Sequence, residues 1–181
     1  MNNFEQFIDT FSNDKSLKGK QFEYFIKWFL LNDNYWKSIV RKVYAFEDSP
    51  IKWNNKDIGT DIIFEDYDGR YWAVQAKNYS SNYSISKQKI DSFLSDSSRK
   101  EIYKRLLICT TDKIANNALK TINEAEKNVV VFKRKDFIER GSIYPVNFKN
   151  LTKTKTKNIP KPRKHQIVAI NNVVKKFKKN N

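Results

Sequence analysis

Cysteine, glycine and proline are all scarce in this sequence. Its 181 residues contain one cysteine, Cys109, which excludes an intramolecular disulfide and a cysteine-rich metal site. Four glycines and four prolines are too few for a low-complexity or disordered chain. No apolar run approaches the length of a membrane span, and the first residues lack the basic and apolar regions of a signal peptide. We therefore expect a cytoplasmic protein with no membrane partner.

Positive charge is abundant and concentrated towards the C-terminus. The net charge is +15, and residues 151–181 carry ten of the 35 basic residues and none of the 20 acidic ones. A basic chain with aromatic side chains throughout is typical of a polyanion partner, most often nucleic acid, although a solubilising lysine-rich surface has the same composition. The Lys-Thr alternation at 153–157 indicates a linker. We expect one domain over residues 1–149 and a basic linker region over 150–181.

Hydrophobic periodicity predicts two helices, then three strands, and then helices in alternation with strands. Helices are expected over residues 3–12, 18–31, 85–98, 114–127 and 134–140, and strands over residues 36–46, 61–64, 71–76, 105–110 and 128–132. A hairpin is followed by a strand–helix–strand crossover. This order predicts an α/β fold, in which a mixed β-sheet is flanked by helices on both faces.

The predicted hairpin admits two registers. A two-residue turn would place Asp61 opposite Ala76. A three-residue loop with Gly69 in the left-handed conformation would instead place Asp61 opposite Gln75, with Lys77 diagonal to it on the same face. We prefer the second register, because it gathers three polar side chains at the end of an apolar strand.

A carboxylate, an amide oxygen and a lysine in one place are suited to metal-dependent chemistry. Asp61 and the side-chain oxygen of Gln75 can bind a hard cation such as Mg²⁺. The cation would lower the pKa of a bound water and offset charge on a phosphate. Lys77 can orient that water or stabilise the developing charge. The alternative is a hairpin with a polar end near solvent.

Two short motifs carry a family resemblance. Gly59-Thr60-Asp61, a hairpin and then Gln75-Ala76-Lys77 resemble the active-site core of the PD-(D/E)xK nucleases, and especially the Mrr-like branch of restriction endonucleases. Gly19-Lys20-Gln21-Phe22-Glu23 resembles the Gly-x-x-Phe-Glu at the start of that fold. The resemblance implies a restriction-endonuclease-like fold and a Mg²⁺ cofactor that Mn²⁺ can replace.

The resemblance also implies a role for individual residues. Asp61 would be the principal metal ligand, Gln75 a second ligand in place of the more usual acid, and Lys77 the catalytic lysine. Glu23 would bind the metal directly or through water, or else lie on the helix surface paired with a lysine at helical spacing. Asp57 resembles the first aspartate of an Asp-x-Gly-x-Asp pattern, and a loop or capping role is equally open.

The basic C-terminal region carries a second resemblance. Residues 161–170 resemble the Pro-Arg-x-x-Gln motif that opens one superfamily of helicases, which implies a helicase or translocase region in the same, longer chain. The alternative is a basic amphipathic helix that packs on the domain or contacts DNA. Arg163 and Lys164 in this region, and Lys87 and Lys89 in the helix after the hairpin, are candidates for contact with DNA phosphates. For the last two a solvated helix face is the alternative.

These observations lead to one expected function and two alternatives. We expect a Mg²⁺-dependent DNA endonuclease domain that hydrolyses phosphodiester bonds as the cleavage module of a restriction enzyme or helicase–nuclease. Because Gln75 replaces an acid, a non-cleaving DNA-binding module of the same fold stays open. A nuclease for branched DNA or RNA is the other alternative.

Overall fold

The computed structural model describes residues 3–53, 59–140 and 142–151. Within them the helices are α1 (Phe4–Ile8), α2 (Lys15–Asn32), α3 (Lys87–Asp96), α4 (Asn116–Asn123) and α5 (Arg134–Glu139). The strands are β1 (Val40–Ala45), β2 (Ile62–Asp66), β3 (Tyr71–Lys77), β4 (Ser84–Ile85), β5 (Ile102–Cys109), β6 (Lys113–Ile114) and β7 (Val129–Phe132). No helix in these ranges is long and apolar enough to cross a membrane.

The predicted mixed sheet is confirmed. Five strands lie in the order β1-β2-β3-β5-β7. The first three pair antiparallel, and β3, β5 and β7 pair parallel. Because β3 and β5 run in the same direction, the segments that follow them meet at one edge of the sheet. A second, two-stranded parallel sheet joins β4 to β6.

Two apolar layers cover the sheet, one on each face. Side chains of α1, α2 and α5 pack on the face that carries Trp72, Val74 and Ala76 of β3. Side chains of α3 and α4 pack on the opposite face, which carries Ala73. Side chains alternate along a strand, so Gln75 and Lys77 belong to the α3/α4 face. The sheet therefore directs these two polar side chains away from α2.

The preferred hairpin register is also confirmed. Ile62 pairs with Val74 and Ile63 with Ala73, the register that would place Asp61 opposite Gln75. The pairing itself ends at Ile62, and the Asp61 N–H donates to Val74 O. Gly69 has φ of +78°, the left-handed conformation that closes a three-residue loop. One glycine thus sets which residues face each other at the far end of both strands.

Asp66 holds this loop together from inside the protein. Its buried carboxylate accepts hydrogen bonds from the backbone N–H groups of Asp68 (3.0 Å) and Arg70 (2.9 Å), the Arg70 side chain (3.0 Å) and the Trp72 indole (3.1 Å). Burial opposes ionisation, but the hydrogen bonds from Arg70 and Trp72 outweigh it and lower the pKa of Asp66 below its ordinary value.

We expect Asp66→Asn to lower the free energy of unfolding by about 1–3 kcal/mol at pH 7, because an amide NH₂ replaces one acceptor of these bonds. A lowered folded-state pKa stabilises the protein above the unfolded-state pKa of about 3.9, and this contribution is lost as the pH falls through the folded-state value. The difference between variant and wild type should therefore shrink below about pH 4. Urea unfolding at several pH values measures it, and a pH-independent difference would contradict this account.

Several predicted boundaries are wrong, and for three of them the structure shows the cause. The strand expected over residues 36–46 begins only at Val40, because the Asp33 carboxylate accepts hydrogen bonds from Tyr35 and Trp36 (both 3.1 Å) and folds Trp36–Ser38 into a 3₁₀ turn. The helices expected at 85 and 114 begin at 87 and 116. Ile85 and Ile114 instead pair with each other in the β4–β6 sheet.

Candidate active site

Backbone hydrogen bonds fix the position of Asp61 at the sheet edge. It directly precedes β2, and its N–H donates to Val74 O (2.9 Å) while its carbonyl accepts from Phe46 N (3.2 Å). Asp61 is therefore held between β3 and the residue that directly follows β1, although it lies outside a strand. Its side chain lies beside the end of β3, as the hairpin register predicts.

Asp61 and Lys77 form an ion pair in a largely buried setting. Lys77 Nζ lies 3.5 Å from Asp61 Oδ2, and the same oxygen accepts the N–H of Ala76 at 2.6 Å. Only 5% of the Asp61 side chain is exposed, compared with 29% of the Lys77 side chain. The lysine is thus the member of the pair that is open to a ligand from solvent.

Gln75 presents one satisfied and one unsatisfied atom. The residue is buried, and its Nε2 donates to the carbonyl oxygen of Gly59 at 2.9 Å. Its Oε1 is buried without a hydrogen-bond partner in the described part of the chain. A Cβ on Gly59 would lie 3.2 Å from Ser92 O of α3, so only glycine fits without a shift. The Gln75 amide therefore anchors the segment that leads to Asp61.

These donors fit a hard divalent cation. In the described ranges no cluster of three or more His, Cys, Asp and Glu side chains could hold a metal. Mg²⁺ does not require one, since it keeps several waters and uses one or two carboxylates together with substrate phosphates. The Asp61 carboxylate and the unsatisfied Gln75 oxygen supply two oxygen donors of the required type.

Comparison with known protein families identifies the chain. A family profile of the Mrr type, described as a restriction endonuclease, matches residues 31–158. The chain belongs to this restriction endonuclease family. The matched segment includes Asp61, Gln75 and Lys77 and begins after Glu23. No curated protein sequence shows significant similarity to the chain.

Two solved structures show the same fold. One is the "ATP-dependent Type ISP restriction-modification enzyme LlaBIII bound to DNA", with a TM-score of 0.66 and 23% identity over 99% of this chain. The other is the "DNA modification-dependent restriction endonuclease AspBHI", with a TM-score of 0.50 and 13% identity over 84% of this chain. The match spans 11% of the LlaBIII chain and 41% of the AspBHI chain.

The other predicted site residues of this family member lie in different places. Glu23 is half-buried in α2, a helix whose apolar residues pack on the other face of the sheet, and its role as a ligand stays a prediction. Lys87 and Lys89 are exposed on the first turn of α3, where Lys87 Nζ pairs with Asp91 at 2.7 Å. Asp57, Arg163 and Lys164 lie outside the described residues.

Sequence reasoning missed two threonines that organise the same edge. Thr110 and Thr111 directly follow β5 and are buried. Thr110 N donates to Lys77 O (3.2 Å), and its hydroxyl accepts from Tyr79 N (2.7 Å). The predicted strand–helix–strand crossover could have indicated them. It makes β3 and β5 parallel, which sets the residues after Cys109 beside those after Lys77.

Proposed function

We propose that this chain is the metal-dependent DNA cleavage module of a restriction enzyme and hydrolyses phosphodiester bonds. The observation that carries the proposal is the convergence of Lys77, the Asp61 carboxylate and the unsatisfied Gln75 oxygen at one sheet edge. Membership of a restriction endonuclease family supports the same chemistry. The fold shared with a DNA-bound restriction enzyme supports DNA as the substrate.

Each residue at this edge would have a distinct task. Asp61 and Gln75 Oε1 would hold Mg²⁺ or Mn²⁺, with Glu23 as a further ligand. The bound cation would acidify a water molecule and offset phosphate charge. Lys77 would orient the attacking water or stabilise charge on the phosphate oxygens, a task for which a compact ammonium group is suited. Ion pairing with Asp61 holds the Lys77 ammonium in place before DNA arrives.

Basic residues outside the site would extend the contact with DNA. Lys87 and Lys89 of α3, and Arg163 and Lys164 of the C-terminal region, would contact DNA phosphates. We place the nuclease domain at residues 1–149 and a linker to a helicase or translocase region at 150–181. A single-chain enzyme of this kind is supported by the match to one part of the much longer LlaBIII chain.

Cleavage of supercoiled plasmid with Mg²⁺ or Mn²⁺ tests the proposal. We expect nicking that a chelator abolishes, and a loss of about 10²–10³-fold in Asp61→Asn, because a bound metal supplies several kcal/mol of transition-state stabilisation. Glu124→Gln is the matched control, since it removes an exposed carboxylate at the C-cap of α4. Equal cleavage by Asp61→Asn and wild type would refute the assigned site. DNA binding without cleavage by any variant would favour the non-cleaving module, which the neutral Gln75 makes the second candidate.

A further inference from the structure

Two tyrosines form a ring stack close to the candidate site. The rings of Tyr79 and Tyr83 lie 4.1 Å apart between centroids and 19° from parallel. Tyr79 is half-buried and packs on the α3/α4 layer, while Tyr83 is 37% exposed. The inner ring therefore supports an outer ring that is open to solvent.

The loop that carries these rings is fixed by hydroxyl groups. The Thr110 hydroxyl accepts from Tyr79 N (2.7 Å), and its proton can go to Tyr79 O (2.6 Å). The Thr111 hydroxyl lies 2.6 Å from Tyr83 O and 3.1 Å from Ser81 O, and accepts from Lys113 N at 3.1 Å. Because these bonds involve backbone atoms of the loop, they set its position whatever side chain residue 83 carries.

The stack lies immediately beside the ion pair of the site. Tyr79 follows Lys77 by two residues, and the next strand holds both through Thr110. Burial, together with the neighbouring Tyr83, Cys109 and Asp61, raises the pKa of Tyr79 to about 12. Tyr79 is therefore uncharged at neutral pH, and the ring of Tyr83 lies directly against it.

The charges around the stack suit a nucleic acid strand. Lys113 Nζ lies 3.3 Å from Asn82 Oδ1 in the same loop, and Lys87 and Lys89 follow on the first turn of α3. Of the nearby acids, Asp91 pairs with Lys87, and Asp112 accepts the N–H of residue 135. A strand that runs past Tyr83 would therefore meet lysines beside an aromatic face, the combination found in channels for single-stranded nucleic acid.

We propose that Tyr83 is a stacking platform for an unpaired base, so that the site takes DNA with an unstacked nucleotide next to the phosphate to be cut. Only the cleavage of the neighbouring phosphate rests on the proposed function; the stacking of a base on Tyr83 does not. In an intact duplex, neighbouring base pairs cover each base face, and a tyrosine ring gains nothing from them. A frayed, displaced or single strand exposes that face, and any base can stack on it without regard to sequence.

The test measures binding in the presence of a chelator, which separates it from cleavage. Fluorescence anisotropy compares a single-stranded oligonucleotide with the blunt duplex of the same sequence, using the full chain. We expect Tyr83→Ala to weaken single-strand binding on the order of tenfold and duplex binding less than about twofold. Tyr83→Phe keeps the ring and should bind as wild type. The matched control is Tyr67→Ala, which removes a tyrosine that is 64% exposed in the hairpin loop and should change neither affinity.

The outcomes separate this inference from the proposed function. An equal loss on both DNAs, no loss on either, or a loss in Tyr83→Phe as large as in Tyr83→Ala would each overturn the stacking platform. None of these results would affect cleavage that depends on Asp61. Conversely, a selective single-strand loss in a chain that never nicks plasmid would support the platform and favour the non-cleaving module over the nuclease. Equal melting temperatures for all three variants and wild type establish that the loop stays folded.

Discussion

Lys77→Met is expected to lower the single-turnover rate of DNA cleavage by about 10²–10³-fold, comparable to removal of one preorganised donor from a transition-state site. Lys77 Nζ lies 3.5 Å from the Asp61 carboxylate and is more exposed than its partner. The methionine retains the apolar length of the side chain and removes the charge. DNA binding should weaken by only about threefold, because one cation among many phosphate contacts is lost.

The control for this prediction is Lys120→Met. Lys120 pairs loosely with Glu124 (3.9 Å) on the exposed side of α4, and its removal also lowers the net charge by one. Lys77→Arg should also lose cleavage, because a planar guanidinium group does not occupy the position of a compact ammonium group. If Lys77→Met keeps more than about a third of the wild-type cleavage rate, Lys77 has no essential role in the mechanism.

Gln75→Glu is expected to damage the site, although it introduces the acid that is more usual in the resembling nuclease family. The Gln75 amide donates to Gly59 O at 2.9 Å, and an ionised carboxylate cannot donate there. A buried negative charge would instead face a carbonyl oxygen. We expect the free energy of unfolding to fall by about 2–3 kcal/mol at pH 7 and cleavage to fall rather than rise.

The pH dependence of stability distinguishes this cause from a general packing defect. Burial and the facing carbonyl raise the pKa of the introduced carboxyl above its unfolded value of about 4.3. As the pH rises past that value, the unfolded chain releases its proton first. The free energy of unfolding should then fall, relative to wild type, by up to about 1.4 kcal/mol per pH unit until the folded state ionises too.

Gln75→Met provides the matched control. It removes both the donor and the unsatisfied oxygen but carries no charge, so its destabilisation should not vary with pH. Urea unfolding of both variants without metal, from pH 4 upwards, measures the contrast. A Gln75→Glu protein that unfolds like wild type at pH 7 and cleaves faster would show that Gln75 serves only as a ligand and not as an anchor for Gly59.

The hairpin, and the polar side chains that meet at its open end, could be predicted because both depend on short-range sequence features. Gly69 is the one residue in the loop that adopts a positive φ at no steric cost, and this determines the register. Strict alternation then placed Asp61, Gln75 and Lys77 together. The faces of β3 followed from the same alternation.

Other features lay beyond local pattern. Two-residue strands such as β4 and β6 have no periodicity, and only tertiary proximity pairs them. The sequence also could not show that the Gln75 nitrogen would be used by Gly59 and its oxygen left unsatisfied. That assignment depends on which carbonyl lies within reach, and so on the packing of Gly59 against α3.

The last described residues have a consequence for how the module can be joined to other parts of a protein. Phe148 packs against Phe11 and Tyr24, and Leu151 is buried in the layer formed by α1, α2 and α5. Gln75 and Lys77 belong to the other face of the sheet. A region attached after Leu151 therefore starts on the face of the sheet opposite Gln75 and Lys77. A translocase coupled there would leave the proposed active site open to an incoming DNA strand.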